Sequence, residues 1–385
     1  MLAITNGKIL TITQGVIEKG TILVENGKIL EIGNDVQVPE GTRVIDAAGR
    51  VVAPGIIDAH AHVGIWEEGF GWEGNDVNEM TDPVTPHLRT IDAINPEDQG
   101  LRDAYEGGIT AIWSAPGSGN VIGGEGVAMK TAGKTMDAMI IKAPAGLKAA
   151  LGENPKRVYS GQKKMPSTRM GTAAVMREAL LKGQAYLKKL EKAQDDPDKL
   201  PDRDLRMEAI ARVLRKEIPL RTHAHRADDI ITALRIAEEF DIDLTIEHCT
   251  EGHKVAGELA RRNIKVVVGP TLSSRSKVEL RDRSLETPAI LATAGVHVSL
   301  MTDHPVIPIQ LLPLAAMVAM KYGLSEEHAL KALTINPAEI CGIADRVGSL
   351  EKGKDADIVI WSGHPLKFES NVVATVINGE VVYQA

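Results

Sequence analysis

The sequence predicts an α/β protein organised around a closed β/α barrel, with a small second domain built from both ends of the chain. Three observations carry this expectation. From residue 218 to 305, apolar runs alternate with amphipathic ones in the order IPLRTHAH, DDIITALRIAEEF, DLTIEHC, GHKVAGELARRN, IKVVVG, ETPAILATAG and VHVSLMTDHP. Strands and helices repeating at that interval imply parallel strands with covering helices. Polar residues able to do chemistry fall at the downstream ends of strands: His60 and His62, His223 and His225, His248, and Asp303. A closed barrel gathers those ends at one mouth, whereas an open sheet holds its first and last strands apart. Finally, both chain ends consist of short β-type runs broken by glycine, a pattern that brings the termini together outside the central unit.

Taken in order, residues 1–52 contain Asn6-Gly7 and Asn26-Gly27 between apolar alternations, which predict hairpin turns in a small antiparallel sheet; Asn378-Gly379 repeats the signal near the other end. VVAPGIIDAHAHVG, residues 51–64, reads as a buried strand delivering His60 and His62. Side chains two apart on a strand point the same way, so both imidazoles can approach one ion or one substrate atom. By itself the pair fits a polar surface or a hydrogen-bonded core equally well. The acidic loop WEEGFGWEGNDVNEMTDPVTPHLRT follows, an active-site rim or a surface excursion.

PEDQGLRDAYEGG then reads as a helix and ITAIWSAPG as a strand. GSGNVIGGEG, residues 117–126, lacks the GxxxxGK[ST] spacing of a phosphate cradle and reads as a glycine-rich active-site loop or a turn. A long helix is expected over 169–195, an exposed break over KAQDDPDKLPDRD, and a second helix over LRMEAIARVLRKE. QLLPLAAMVAMKYG and SEEHALKALTINPAEICG supply the final helices of the central domain.

Composition narrows the function classes. With 385 residues, 43% of them hydrophobic, the chain can bury a substantial core. A formal charge of −8 without a basic tract argues against nucleic-acid binding. Cys249 and Cys341, the two cysteines, are too few for a disulfide scaffold or a cysteine zinc site. The run LLPLAAMVAM is too short to span a membrane, and no leader pattern is visible, so a soluble cytoplasmic protein acting on a small molecule is expected, with no membrane partner. No apolar stripe identifies an interface, although barrels of this size often form homo-oligomers.

Imidazoles and a carboxylate converging on one mouth suit zinc or another divalent transition metal, which acidifies water and polarises a carbonyl. Asp303 would take a proton from the attacking water and return it to a leaving nitrogen, and His248 would bind the metal or polarise the carbonyl. Each residue also has a bland reading: the histidines as hydrogen-bonded core residues, and Asp303 as the cap of a turn.

These motifs together resemble the amidohydrolase superfamily of metal-dependent hydrolases, near its imidazolonepropionase-like and cyclic-amidohydrolase-like branch. The resemblance rests on NGKI at 6–9, APGIIDAHAH at 53–62, THAHRADD at 222–229, IEHCTEGH at 246–253, MTDHP at 301–305, NPAEICGIADRVGSLEKGKDADIVIW at 336–361 and VINGEVVY at 376–383. It implies a (β/α)8 TIM barrel over 53–345 and a small β-sandwich built from 1–52 and 346–385. It places metal ligands at His60, His62, His223 and His248, the acid-base carboxylate at Asp303, and a substrate contact at His225.

On the fourth strand the family uses a carboxylated lysine or a glutamate, which sets Lys148 against Glu153, with Glu153 preferred because it follows the turn at Leu151-Gly152. One or two ions are implied, zinc first, with manganese, iron or nickel compatible. The deaminase branch commonly carries a glutamate where this chain has Arg226, so deamination loses weight. Arg226, His225 and His253 could instead neutralise a substrate carboxylate, unless Arg226 pairs with Asp228 or Asp229. The expected activity is hydrolysis of a C–N bond, not a protein peptide bond, in a cyclic amide or carboxylate-bearing amide. A dipeptidase of prolidase or isoaspartyl type, with Glu125 or Asp229 binding the ammonium, is the alternative; a non-catalytic barrel is disfavoured by the intact donor set.

Overall fold

The computed structural model describes residues 1–193 and 200–385. Both chain ends enter one eight-stranded sheet. β1 (Leu2–Leu10), β2 (Val16–Glu25), β3 (Lys28–Gly33), β4 (Arg43–Asp46) and β5 (Val51–Pro54) come from the beginning of the chain. β16 (Ile358–Trp361), β17 (Val372–Ile377) and β18 (Glu380–Gln384) come from its end, in the order β18-β17-β16-β5-β1-β2-β3, with β4 beside β1. The join is the antiparallel pairing of β5 with β16, Val52 opposite Ile360. Ile4, Ile22, Val52, Ile358, Ile360 and Val376 form a common core beneath it, so burial of apolar surface holds the two ends together.

Two of the three Asn-Gly signals are hairpin turns. Asn26-Gly27 joins β2 to β3 and Asn378-Gly379 joins β17 to β18, each with positive φ at both residues. Asn6-Gly7 differs, because it lies inside β1, where the register against β2 shifts between Ile4 and Gly7. Asn6 has φ 55 and its amide donates to Asp46 Oδ1 at 3.1 Å, so the same left-handed preference makes a bulge instead of a turn.

The stretch expected as one strand from residue 51 is divided. Gly55 separates β5 from β6 (Ile56–Ala61), and a side chain at Gly55 would collide with Thr110. β6 lies parallel to β7 (Ile109–Ser114). β8 (Ile122–Glu125) and β9 (Val127–Lys130) follow, separated by Gly126 alone; β9 pairs antiparallel with β7, while β8 pairs antiparallel with β11 (Leu147–Ala150). β10 (Ile140–Lys142) is added outside β9. The glycine-rich segment expected as a loop is thus partly strand. Its glycines let the Trp113 ring lie against Gly126 and the Leu88 backbone against Gly124.

From β11 the pairing is parallel through β12 (Leu220–Ala224), β13 (Leu244–His248), β14 (Lys265–Val268) and β15 (His297–Leu300). Beyond β15, the Asp303 amide donates to the His60 carbonyl at 3.2 Å and the His62 amide to the His304 carbonyl at 3.0 Å. The last strand's exit is therefore fastened to the first strand's downstream end.

Helices occupy the intervals expected. The helix Ala227–Phe240 buries Ile230, Ala233, Leu234 and Ala237 at helical spacing, carries Asp228 and Asp229 in its first turn, and stops at Asp241 in the left-handed region. Arg169–Lys192 is helical, and the part of the expected exposed break at 194–199 lies outside the described residues. SEEHALKALTINPAEICG forms two helices, Glu326–Leu333 and Ile335–Cys341, meeting at Thr334. Pro337 has no amide hydrogen to give, so it is tolerated only in the first turn of a helix that starts afresh. Among the described residues no helix is long and apolar enough to cross a membrane.

Candidate metal centre

β6 carries His60 next to its end and His62 directly follows the strand; both are buried, and each ring is fixed from behind. His60 Nδ1 lies 2.8 Å from Glu247 Oε2, His62 Nδ1 2.7 Å from the Ala115 carbonyl, and His248 Nδ1 3.0 Å from the Gly269 carbonyl. Those partners only accept, so the proton belongs on Nδ1 and the Nε2 lone pair is left free on the side of the other donors, the arrangement a metal ligand needs.

Among the described residues two donor groups result. The ligand atoms of His60, His62 and Asp303 lie within 4.8 Å of one another, as do those of His223, His225 and His248. The groups adjoin through His60 and His248, whose ring centroids are 5.0 Å apart. Lys148, on β11, bridges from the side, with Nζ 3.0 Å from His60 Nε2.

Electrostatics fit cation binding. Burial pushes His223 down to about 4, and His225 and His248 well below the ordinary histidine value, so these rings are neutral and able to coordinate. Burial works to raise the Asp303 carboxyl, but His248, His60 and His62 hold it well below the usual carboxylate range. Burial also drags the Lys148 ammonium down to about 8, against the pull of Glu247 and Asp303.

Both ring nitrogens of His223, and Nε2 of His225, are buried without a hydrogen-bond partner. Buried polar atoms seldom go unsatisfied, and a divalent cation among these donors is the group that would satisfy them. His248 and Asp303 also have φ of 69 and 55, left-handed backbone that costs free energy in residues bearing a Cβ.

Behind the donors lies a buried ionic network. Arg221 Nε donates to Glu247 Oε1 at 2.7 Å and Nη2 to the Ala59 carbonyl at 2.7 Å, while its guanidinium lies 3.6 Å from the Trp113 ring centroid. Asp58 accepts from the His60 amide at 3.0 Å and from the Thr302 hydroxyl at 2.5 Å, tying β6 to the chain that carries Asp303.

The two fourth-strand candidates, Glu153 and Lys148, are placed differently. β11 ends at Ala150, and Gly152, with φ 87, turns the chain before Glu153 begins a helix, half-buried and in neither donor group. Lys148 starts deeper in the strand but is long enough to reach His60.

His225 is buried beside His223 and bonds Thr250 Oγ1 through Nδ1 at 2.7 Å. Arg226 is committed to Asp228 through two bonds of 2.9 and 2.8 Å, and His253 to Thr287 at 2.9 Å. Glu125 pairs with Arg212, and Asp229 with Arg169.

Sequence reasoning missed Glu247, Arg221 and Glu279. Opposite charges inside two apolar neighbouring strands were a readable signal for the first two; Glu279, in the loop after β14, had none.

The amidohydrolase family model matches residues 206–382. The crystal structure of an amidohydrolase from Thermotoga maritima MSB8 is 48% identical over 100% of both chains, with a TM-score of 0.97. The chain belongs to the amidohydrolase family, and with its buried histidines and the adjoining aspartate it is a metal-dependent hydrolase. Amidohydrolase tasK of Hapsidospora irregularis is 30% identical over 94% of this chain, which spans 39% of that protein's length. A dihydroorotase of Geobacter sp. strain M21 is 23% identical over 100% of this chain and 99% of its own.

Proposed function

We propose that the chain hydrolyses a C–N bond, other than a protein peptide bond, in a cyclic amide or a carboxylate-bearing amide, with imidazolonepropionase-like chemistry. The observation that carries this reading is the convergence of His60, His62, Lys148, His223, His248 and Asp303, from five separate strands or the residues just after them, on one set of donors. We take the strands β6 to β15 as a (β/α)8-type barrel whose third position is filled by the antiparallel β8–β9 run, and the two chain ends as its β-sandwich companion.

His60, His62, His223 and His248 would hold the metal, zinc first, with Lys148 as the fourth-strand ligand after carboxylation if two ions are bound. A divalent ion there supplies Lewis acidity toward an amide carbonyl and acidifies water. Asp303 Oδ1, 3.4 Å from His60 Nε2 and 3.2 Å from His62 Nε2, is placed to accept the proton of the attacking water. Passing that proton to the departing nitrogen lets the C–N bond break without expelling an amide anion. The tight hold on the Asp303 negative charge keeps it ionised at neutral pH.

His225 faces the same space and is the substrate contact expected from sequence, whereas Arg226 and His253 are engaged elsewhere. The dipeptidase alternative loses support because Glu125 and Asp229 are already paired with arginines.

The test is turnover by the zinc-loaded full chain against ring amides with and without a carboxylate, dipeptides, aminopurines and esters. Ring-amide hydrolysis, with KM rising when the carboxylate becomes a carboxamide, is expected. Turnover of esters with no amide, lactam or amidine would sink the proposal.

A further inference from the structure

The loop after β14 sends a second carboxylate into the mouth. Glu279 has a side chain only 1% exposed, and its Oε2 accepts from the Glu153 amide at 2.9 Å. Its Oε1 lies 3.6 Å from His225 Nε2 and 3.9 Å from His223 Nε2. Those separations are too long for hydrogen bonds; the two Nε2 atoms are buried without a hydrogen-bond partner, while Oε1 is held by Lys277 Nζ at 2.8 Å. Donors roughly 2.0–2.1 Å from a shared tetrahedral ion stand about 3.4 Å apart, so such spacing is that of atoms facing a common cation. The other donor group offers an internal standard, since Asp303 Oδ1 stands 3.4 and 3.2 Å from the Nε2 atoms of His60 and His62. Glu279 stands to the β12 histidines much as Asp303 stands to the β6 pair.

We propose that Glu279 and His225 are direct ligands, with His223 and His248, of a second cation position beside the one formed by His60, His62 and Asp303. This rests on the metal-dependent reading above and reassigns His225 from substrate contact to ligand. Three imidazoles and one carboxylate make a borderline donor set suited to zinc and its neighbours. Lys277 Nζ, 2.8 Å from Glu279 Oε1 and 3.2 Å from Asn154 Oδ1, sets a competing positive charge against the same carboxylate. An ion entering the site has to displace it toward solvent, which its 18% exposed side chain permits.

The experiment is titration of the chelator-stripped full chain with Zn(II) against a chromophoric competitor, repeated with Co(II) to read its visible absorption. Wild type should take up two ions. Glu279→Gln and His225→Asn should each weaken one of them at least about tenfold and alter the cobalt spectrum of that ion, leaving the other within about twofold. Lys277→Met should tighten the same ion, a gain that damage to the fold would not produce, so this arm decides the matter if Glu279→Gln fails to fold. Two ions in wild type with unchanged titrations in all three variants would overturn the inference and leave the hydrolase reading intact. A single ion sensitive to His62→Asn but not to Glu279→Gln would do the same. A wild-type chain that takes up no ion would overturn both.

Discussion

Replacing Glu247 by Gln keeps the shape of the side chain and removes its charge. That charge faces two partners, His60 Nδ1 at 2.8 Å and Arg221 Nε at 2.7 Å, all three groups being fully buried. Burial acts to raise the Glu247 carboxyl, but Arg221 and His60 more than offset it, bringing the pKa from 4.5 to about 2. Each unit of pKa is about 1.4 kcal/mol, so the network contributes about 3 kcal/mol at neutral pH. Because the folded-state pKa is depressed, that stability is fully present above the unfolded value near 4.5 and is lost as pH falls toward 2. Removing one member of a buried pair costs about 3–5 kcal/mol by general experience, since the remaining guanidinium is stranded. Urea unfolding of the stripped chain at pH 7 should therefore show Glu247→Gln destabilised by about 3 kcal/mol, with the difference shrinking below pH 4. Zinc affinity should fall about 10- to 100-fold, because the amide no longer holds His60 as a charged acceptor does. A loss below about 1 kcal/mol together with unchanged zinc affinity would show that the Glu247 charge holds neither Arg221 nor His60.

Asp303→Asn should lower kcat by about 10²- to 10⁴-fold, with KM changing far less, as the amide cannot accept the water proton; steady-state kinetics on the zinc-loaded variant checks this. Lys148→Met should act in opposite directions on stability and metal. Burial lowers the lysine from 10.5 to about 8, so the unfolded chain binds the extra proton between those values. The resulting cost of about 3 kcal/mol is full below pH 8 and relieved as pH rises through 10.5. The stripped variant should thus be more stable than wild type at pH 7 by up to about that amount in urea while taking up less zinc by competition titration. Arg221→Met should shift the stripped chain's urea midpoint downward, and pairing it with Glu247→Gln should cost less than the sum of the two single changes, because the partners share one interaction.

Much of this was legible from the sequence because strand polarity does the placing. His60, His223 and His248 occupy the last two positions of their strands, His62 directly follows β6 and Asp303 lies three residues beyond β15, and short strands of a parallel β/α array present those ends to one side. What was illegible depended on reach and backbone shape. Lys148 lies two residues before the end of its strand and reaches His60 through its long side chain, while Glu153, nominally nearer the mouth, is carried off by the turn at Gly152. The GGEG run looked like a loop because glycine usually breaks strands, yet here it admits Trp113 and the Leu88 backbone against an antiparallel strand. Asn6-Gly7 became a bulge because the chain on either side continued to pair with β2. Arg226 was readable either as a substrate anchor or as the partner of Asp228, and the neighbouring carboxylate took it.

If hydrolysis runs on cations held by the two donor groups, the rate must follow bound metal. Amide turnover by the chelator-stripped full chain, followed as Zn(II) is added and bound metal is counted, tests it most directly. Negligible activity at zero bound metal, rising with occupancy and failing to rise in His62→Asn, is the predicted result. A stripped chain that retains the full rate would mean that hydrolysis does not depend on a bound cation.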